Sequence, residues 1–191
     1  MLSDYPYYTF DKELPVGLCH GLIKMGEACV PSTGGLFETG STKYDSAIRN
    51  NLVSWINSPD IVTIMYLSIK KANINAGWNF DITGFQTPQF CKYGEGQFYD
   101  WHVDTGTELP EDSTVRKLTI VISLNENYTG GDLQIERWAV PTETDRFNTV
   151  KALHNTGSIA VFPSFMHHRI APVETGTRYS LVGWFTGPHF K

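Results

Sequence analysis

The sequence predicts an α+β domain, mainly β, with helices packed outside an antiparallel double sheet. Three observations carry this. The spacing of apolar residues changes near residue 86, from a helical period to short runs. Those runs recur between turn-forming residues, the pattern of a sandwich or barrel. Aromatic residues make up 13% of the 191-residue chain, a share that suits pleated, half-buried surfaces. The length fits one domain with one sizeable core.

In chain order, Lys12 to Met25 carries Leu14, Leu18 and Leu22 at spacing four, one face of a helix, with Gly26 as its C-cap. Val30 to Lys43 is rich in Gly, Ser and Thr and reads as an exposed loop. Asp45 to Asn57 places Ile48, Leu52, Val53 and Ile56 on one side and predicts a second helix. Ser58-Pro59-Asp60 then starts a helix, Ser as N-cap and Pro at N1, that runs to about Ala76 and stops at Gly77. From Trp78 the text becomes strand-like: Trp78 to Phe85, Gln89 to Tyr93, Leu118 to Leu124, Asp132 to Arg137, Ser158 to Phe162, His167 to Val173 and Arg178 to Phe185. Thr129-Gly130-Gly131, Asn155-Thr156-Gly157 and Glu174-Thr175-Gly176 supply turns. Thr105 to Ser113 and Val140 to Lys151 read as loops, where recognition tends to sit on a β-scaffold. The expected division is one domain over 1–191, with a helical support region at 1–86 and a β core at 87–187.

Composition narrows the function classes. The net charge is −5, the sequence pI is about 5.6, and no basic run occurs, so nucleic acid is a poor partner. Cys19, Cys29 and Cys91 are odd in number and fit neither a disulfide framework nor a zinc knuckle. They read as buried small apolar residues in a reducing cytosol. Residues 1–10 carry no basic segment followed by an apolar one, and no apolar run approaches the ~20 residues of a membrane span. The expectation is a soluble, cytoplasmic protein without nucleic-acid or membrane partners.

The chemistry concentrates in Tyr93 to Asp104, YGEGQFYDWHVD. In a strand, residues i and i+2 share a face, so His102 and Asp104 can reach one ion together. A third ligand, His167 or His168, follows about sixty residues later in a strand-like segment. Two His and one carboxylate make the non-haem iron(II) arrangement that keeps positions open for oxygen chemistry. A zinc hydrolase could use the same residue types, and a non-catalytic, cupin-like binding module is a third class.

The C-terminal text separates these. A His is followed by a strand, a Gly turn and then Arg178. A hairpin closing at Thr175-Gly176 is expected to set the His strand beside the Arg strand. Arg178 and Ser180 share a face. An inward Arg in a β core needs an anion, and no acidic residue on that strand face offers itself. A guanidinium grips a carboxylate through its fork and Ser can add a hydroxyl. A dicarboxylate with one end on iron and the other on Arg178 fits this pattern; a zinc hydrolase leaves Arg178 without a role.

These stretches resemble the 2-oxoglutarate and iron(II)-dependent dioxygenases, in particular the prolyl 4-hydroxylase-like branch that includes the PKHD-type hydroxylases. The matching segments are Gln89 to Asp104, Arg116 to Leu133 and Gly157 to Trp184, with Arg49-Asn50 and Trp55 ahead of them. The resemblance implies a double-stranded β-helix (jelly-roll) core flanked by N-terminal helices. It implies His102, Asp104 and His168 as iron ligands, His168 being preferred because it sits five after Pro163 and ten before Arg178. His167 would then face outward. It further implies Arg178, supported by Ser180, as anchor of the 2-oxoglutarate C5 carboxylate, and Tyr93 as a wall of that pocket. Some relatives carry a Tyr or Lys on the central strand as an auxiliary contact; Thr119 and Ser123 are what this strand offers. Asn125 and the Gly130-Gly131-Asp132 turn read as structural.

By resemblance the reaction consumes 2-oxoglutarate and O₂ at Fe(II), with ascorbate as a further ligand, and hydroxylates an unactivated C–H bond. The carboxylate at Asp104 disfavours halogenation. Tyr99, Trp101 and the 105–113 loop could form a recognition wall. A prolyl residue of a protein or peptide is the expected substrate, with a free amino acid or other small molecule as the alternative.

Overall fold

The computed structural model describes residues 5–34, 36–38, 41–43, 45–105, 114–137 and 146–190, with 36–38 and 41–43 described as backbone only. Two antiparallel sheets lie face to face. The larger runs, strand by hydrogen-bonded strand, through Tyr8–Phe10, Ile159–Pro163, Val115–Ser123, Arg178–Gly187, Gln89–Tyr93, Leu52–Trp55 and Ser32–Thr33. Gly84–Phe85 pairs with part of Arg178–Gly187. The smaller runs through Phe147–Thr149, Leu133–Glu136, His168–Ile170 and Tyr99–His102. Two helices, α1 (Val16–Ala28) and α2 (Pro59–Asn75), cover the outside of the larger sheet. This is the mainly β, α+β architecture that the sequence predicts, in the jelly-roll form that the resemblance implies.

The strand Val115–Ser123 shows why its text is almost wholly apolar. Leu118, Ile120 and Ile122 pack with Ile61, Met65 and Ile69 of α2. Val121, on the other face, packs between the sheets with Leu133, Ile135, Ala160 and Phe162. With both faces covered, alternation disappears. The same alternation sorts Arg178–Gly187: Leu181 and Phe185 go to the helical layer, while Arg178, Ser180, Val182 and Trp184 line the space between the sheets.

Several elements differ from expectation. Helix α1 starts at Val16, not Lys12, because Pro15 fixes its own backbone at φ −58° and ψ 139° and cannot extend the helix backwards. It also runs past Gly26, which is no C-cap: a Cβ there would lie 2.3 Å from Phe90 Cγ, so the glycine lets the helix close onto that ring. The expected helix over 45–57 is a turn followed by the strand Leu52–Trp55. Its apolar spacing satisfies a helix equally well, and pairing with Gln89–Tyr93 decides the outcome. The expected 30–43 loop contains Ser32–Thr33 and the hairpin strands Leu36–Glu38 and Ser41–Lys43. Of Trp78 to Phe85 only Gly84–Phe85 is strand. Ser58 is extended as an N-cap should be, but its side chain makes no capping hydrogen bond.

The topological correction matters most. The strand His168–Ile170 does not lie beside Arg178–Gly187. Val173–Gly176 instead pairs with Tyr128–Gly130, and the chain crosses from the smaller sheet to the larger. The His strand and the Arg strand therefore face each other across the interior. Residues 106–113 and 140–145 of the two expected loops lie outside the described residues; Phe147–Thr149 is a strand. Among the described residues no helix is long and apolar enough to cross a membrane. Cys19 and Cys91 are buried, Cys29 is half-buried, and all three are free thiols.

Candidate active site

His102 ends the edge strand Tyr99–His102, and His168 opens its neighbour, directly opposite it in register. The register slips by one residue along this pair, a bulge that turns side chains near the end of the strand. As a result the Tyr99 ring stacks on His102, with centroids 3.5 Å apart. The two imidazoles lie 4.2 Å apart, centroid to centroid. Asp104, two residues beyond His102, is fixed by its backbone N–H donating to the Ser164 carbonyl at 2.9 Å. One ligand atom from each of His102, Asp104 and His168 falls within 4.8 Å of the others.

The hydrogen bonds at the far side of each ring define what these imidazoles offer. His102 Nδ1 lies 2.7 Å from the Asp100 carbonyl and His168 Nδ1 lies 2.8 Å from the Met166 carbonyl. A carbonyl only accepts, so both rings carry hydrogen on Nδ1 and present the Nε2 lone pair inward. That is the tautomer a metal takes up. Burial, aided by His168, pushes the His102 imidazole down to about 3, so it stays neutral at pH 7. Burial alone would raise the Asp104 carboxyl, but His168, His102 and Arg116 outweigh it and hold it at about 2. Two imidazoles with hydrogen on Nδ1 and an ionised carboxylate converge on one point. This donor set fits a divalent metal that leaves positions open.

Across the interior, Arg178 is 1% exposed. Its Nη1 donates to Ser180 Oγ at 2.8 Å, and its Nη2 is buried with no hydrogen-bond partner. Tyr93, its register neighbour on the next strand, places its ring 5.4 Å from the guanidinium carbon. A buried guanidinium with an unmet donor calls for an anion. A cavity of about 490 Å³ joins Arg178, Ser180 and Tyr93 to the His-Asp-His cluster. The glycine turn contributes more than shape: a Cβ on Gly131 would lie 2.9 Å from Arg178 Cδ, so the bare backbone leaves the Arg its path.

The sequence-predicted residues His102, Asp104, His168, Arg178, Ser180 and Tyr93 thus all line one cavity. His167 faces outward, bonded to Glu136 at 2.7 Å. Asn125 is structural, donating to the Thr177 carbonyl and accepting from the Tyr179 N–H. Trp101 stands on the outer side of its sheet near Arg169, His167 and Phe147, touching the cavity at its rim. The auxiliary candidates on the central strand are placed differently from expectation. Thr119 donates to Asp104, and Ser123 donates to the Asn125 carbonyl. Three features escape a reading of spacing. Arg49 lies over the Tyr99 ring at 4.5 Å and makes a three-layer stack with His102. Arg116 sits on the Trp184 ring at 4.0 Å and reaches the Asp104 carbonyl. Trp184 Nε1 is buried beside Asp104 and helps to hold its carboxyl down. Arg116 and Lys117 precede the apolar run 118–124, and that pair of charges at the head of a buried strand was the available signal.

The fold and this cavity define an oxygenase-type jelly roll, and the chain belongs to the 2OG-Fe(II) oxygenase superfamily, whose family model matches residues 88–186. Among curated proteins it is similar to a PKHD-type hydroxylase of Hyphomonas neptunium, 33% identical over 103 residues. The match covers 52% of this chain and 42% of that protein. A PKHD-type hydroxylase of Acaryochloris marina is 36% identical over 95 residues, covering 50% and 39%. The aligned part thus spans less than half the length of these relatives. Among solved structures, a prolyl 4-hydroxylase of Pseudomonas putida superposes with a TM-score of 0.70 at 21% identity, covering 97% of this chain and 95% of that one. A viral collagen prolyl hydroxylase from Paramecium Bursaria Chlorella virus-1 gives 0.68 at 16% identity, covering 96% and 97%. At these identities the structural likeness establishes the fold.

Proposed function

We propose that this chain is an Fe(II)- and 2-oxoglutarate-dependent dioxygenase that hydroxylates an unactivated C–H bond, with a prolyl residue of a protein or peptide as substrate. The observation that carries the reading is the pairing, in one cavity, of two inward Nε2 lone pairs and a carboxylate with a buried guanidinium whose Nη2 has no partner. His102, Asp104 and His168 would hold the iron, which supplies the O₂ chemistry when bound. Arg178, its fork oriented by Ser180, would receive the distal carboxylate of 2-oxoglutarate against the Tyr93 ring. The Asp100 and Met166 carbonyls keep both imidazoles in the ligating tautomer without any proton having to leave. The apolar walls, Val121, Leu133, Ile170 and Val182 among them, exclude water from the reacting groups.

The prolyl substrate, ascorbate as a further ligand and a cytoplasmic setting rest on likeness to the prolyl hydroxylases and on the sequence, by analogy. The test is direct. Under nitrogen, Fe(II) and 2-oxoglutarate added together should give a weak visible charge-transfer band that His102→Ala abolishes. In air, succinate should form with O₂ uptake, and mass spectrometry of a proline-containing peptide panel should show a one-oxygen gain. A band that persists in His102→Ala refutes this ligand set; activity with zinc and without O₂ refutes the dioxygenase reading.

A further inference from the structure

A carboxylate can bind a metal through one oxygen or through both, and the two choices leave different numbers of positions for reactants. At Asp104 the imidazoles do not decide between them. Oδ1 lies 3.7 Å from His102 Nε2 and Oδ2 lies 3.6 Å from His168 Nε2. A second set of contacts separates the oxygens. Thr119 Oγ1 donates to Asp104 Oδ2 at 2.7 Å. The hydroxyls of Thr119 and Ser164 are 3.0 Å apart. A hydroxyl has a single hydrogen, and an ionised carboxylate only accepts. The hydrogen of Thr119 is therefore committed to Asp104, and Ser164 must donate to Thr119. The relay has one direction, from Ser164 through Thr119 to Oδ2.

Both hydroxyls are buried, at 0% exposure for Ser164 and 1% for Thr119. Ser164 is itself fixed: its N–H donates to the Lys117 carbonyl, and its carbonyl accepts from the Asp104 and Thr105 N–H groups. The same residue thus clamps the backbone of Asp104 and, through Thr119, one oxygen of its side chain. The Trp184 indole N–H also lies beside this carboxylate, but it makes no hydrogen bond as close as that of Thr119.

We infer that the Thr119 hydroxyl, set by Ser164, holds Asp104 as a one-oxygen metal ligand through Oδ1 and thereby keeps one coordination position free for O₂. The inference rests on the Fe(II) and 2-oxoglutarate reading above. An octahedral metal bound by two imidazoles and one carboxylate oxygen has three positions left. A keto acid chelating through two atoms leaves one. If both oxygens of Asp104 bound, two positions would remain, the keto acid would fill them, and O₂ would have none. A short, charge-assisted hydrogen bond takes one lone pair of Oδ2 and holds that oxygen towards Thr119, which biases the metal contact to Oδ1. Thr119 is a positioning residue that acts through Asp104.

The test separates chelation of the keto acid from the position beyond it. Thr119→Val keeps the shape and removes the hydroxyl; Thr119→Ser keeps the hydroxyl. Each protein is loaded under nitrogen with Fe(II) and 2-oxoglutarate. The charge-transfer band reports the chelated keto acid, and nitric oxide then probes the remaining position through the paramagnetic resonance of its iron nitrosyl. Wild type and Thr119→Ser should show both signals. Thr119→Val should keep the band and lose the nitrosyl signal by about ten-fold or more, the scale on which removing a hydrogen bond to a metal ligand is felt. Ser164→Ala, which leaves Thr119 unset, should lose part of it. A full nitrosyl signal in Thr119→Val overturns the inference. So does loss of the band in a Thr119→Val protein whose circular dichroism is unchanged, since the hydroxyl would then serve metal binding as such. Should Thr119→Val not fold, a full signal in Ser164→Ala overturns it instead. Absence of the band in wild type refutes the iron reading itself and the relay with it.

Discussion

Replacing Arg178 by Met should move co-substrate affinity and the stability of the unliganded protein in opposite directions. The guanidinium is 1% exposed, one nitrogen bonds Ser180, another bonds nothing, and no salt bridge is formed by it among the described residues. Holding such a charge costs the unliganded fold several kcal/mol after relaxation, and a buried ionic group is often replaced by an apolar one at no loss or with a gain of about 1–4 kcal/mol. Met matches the Arg stem in length and flexibility, so packing against Gly131 and Tyr93 is largely kept. Binding behaves differently. Removing one partner of a buried charge pair costs about 3–5 kcal/mol, which at about 1.4 kcal/mol per decade is roughly a 10²- to 10³-fold loss of 2-oxoglutarate affinity. Urea unfolding of the metal-free protein measures the first quantity, and anaerobic titration of the charge-transfer band measures the second. Arg178→Met that is destabilised by about 3 kcal/mol or more yet binds 2-oxoglutarate like wild type would refute the reasoning, because Arg178 would then be a structural residue.

The two adjacent histidines should separate cleanly: His168→Ala abolishes the charge-transfer band, whereas His167→Ala, altering outer-face contacts with Glu136 and Trp101, leaves the band unchanged. Gly131→Ala should weaken 2-oxoglutarate binding, because its Cβ meets Arg178 Cδ at 2.9 Å and the backbone there has φ +64°; an affinity equal to wild type by the same titration counts against the role given to that turn. Gly26→Ala forces a methyl into the Phe90 ring and should cost about 1–3 kcal/mol by urea unfolding, with turnover per folded molecule retained. Acid should destabilise the metal-free protein through His102. Its folded value of about 3 lies below the unfolded value of about 6.5, so the unfolded chain binds the extra proton between them. The contribution is complete above the unfolded value and is lost as pH falls towards the folded one, at up to about 1.4 kcal/mol per pH unit. His102→Gln should flatten that slope by one proton in urea unfolding measured from pH 7 to 4; an unchanged slope refutes the burial argument.

How much of this was legible in the sequence depends on which force decides each element. Helix α2 was legible nearly to the residue, because Pro59 can only begin a helix and Gly77 takes the φ +70° that ends one. The strands Gln89–Tyr93 and Arg178–Gly187 were legible because aromatic and β-branched runs between turns have few other uses. The segment 45–57 was not. Ile48, Leu52, Val53 and Ile56 serve a helical face or a turn and strand alike, and only the distant Gln89–Tyr93 strand chooses between them. The start of α1 was misjudged although Pro15 announces it, since Leu14 extends the apolar spacing while lying outside the helix and bonding by its N–H to the Gly157 carbonyl.

The site was legible as chemistry before it was legible as geometry. A His-x-Asp pair, a later His and an inward Arg without an acid specify a metal and a dicarboxylate whichever sheet carries them. The sheet assignment was wrong, and the error is informative. Side-by-side strands would place His168 and Arg178 on one pleated surface, pointing the same way, with the anion lying flat across it. Facing strands instead aim the imidazole and the guanidinium at each other through the interior, so one molecule with a carboxylate at each end can bridge the two layers and be enclosed by both. That enclosure is why Arg178 can lie at 1% exposure with a nitrogen unmet: the partner that satisfies it is not another side chain but the molecule the cavity is shaped to take. The contacts of Thr119 and Ser164 behind Asp104 were illegible for the same reason. They join a central strand to the loop after Pro163 and to Asp104 from the opposite sheet, and no spacing along the chain records which polar residue of an apolar run will meet a carboxylate from across the fold.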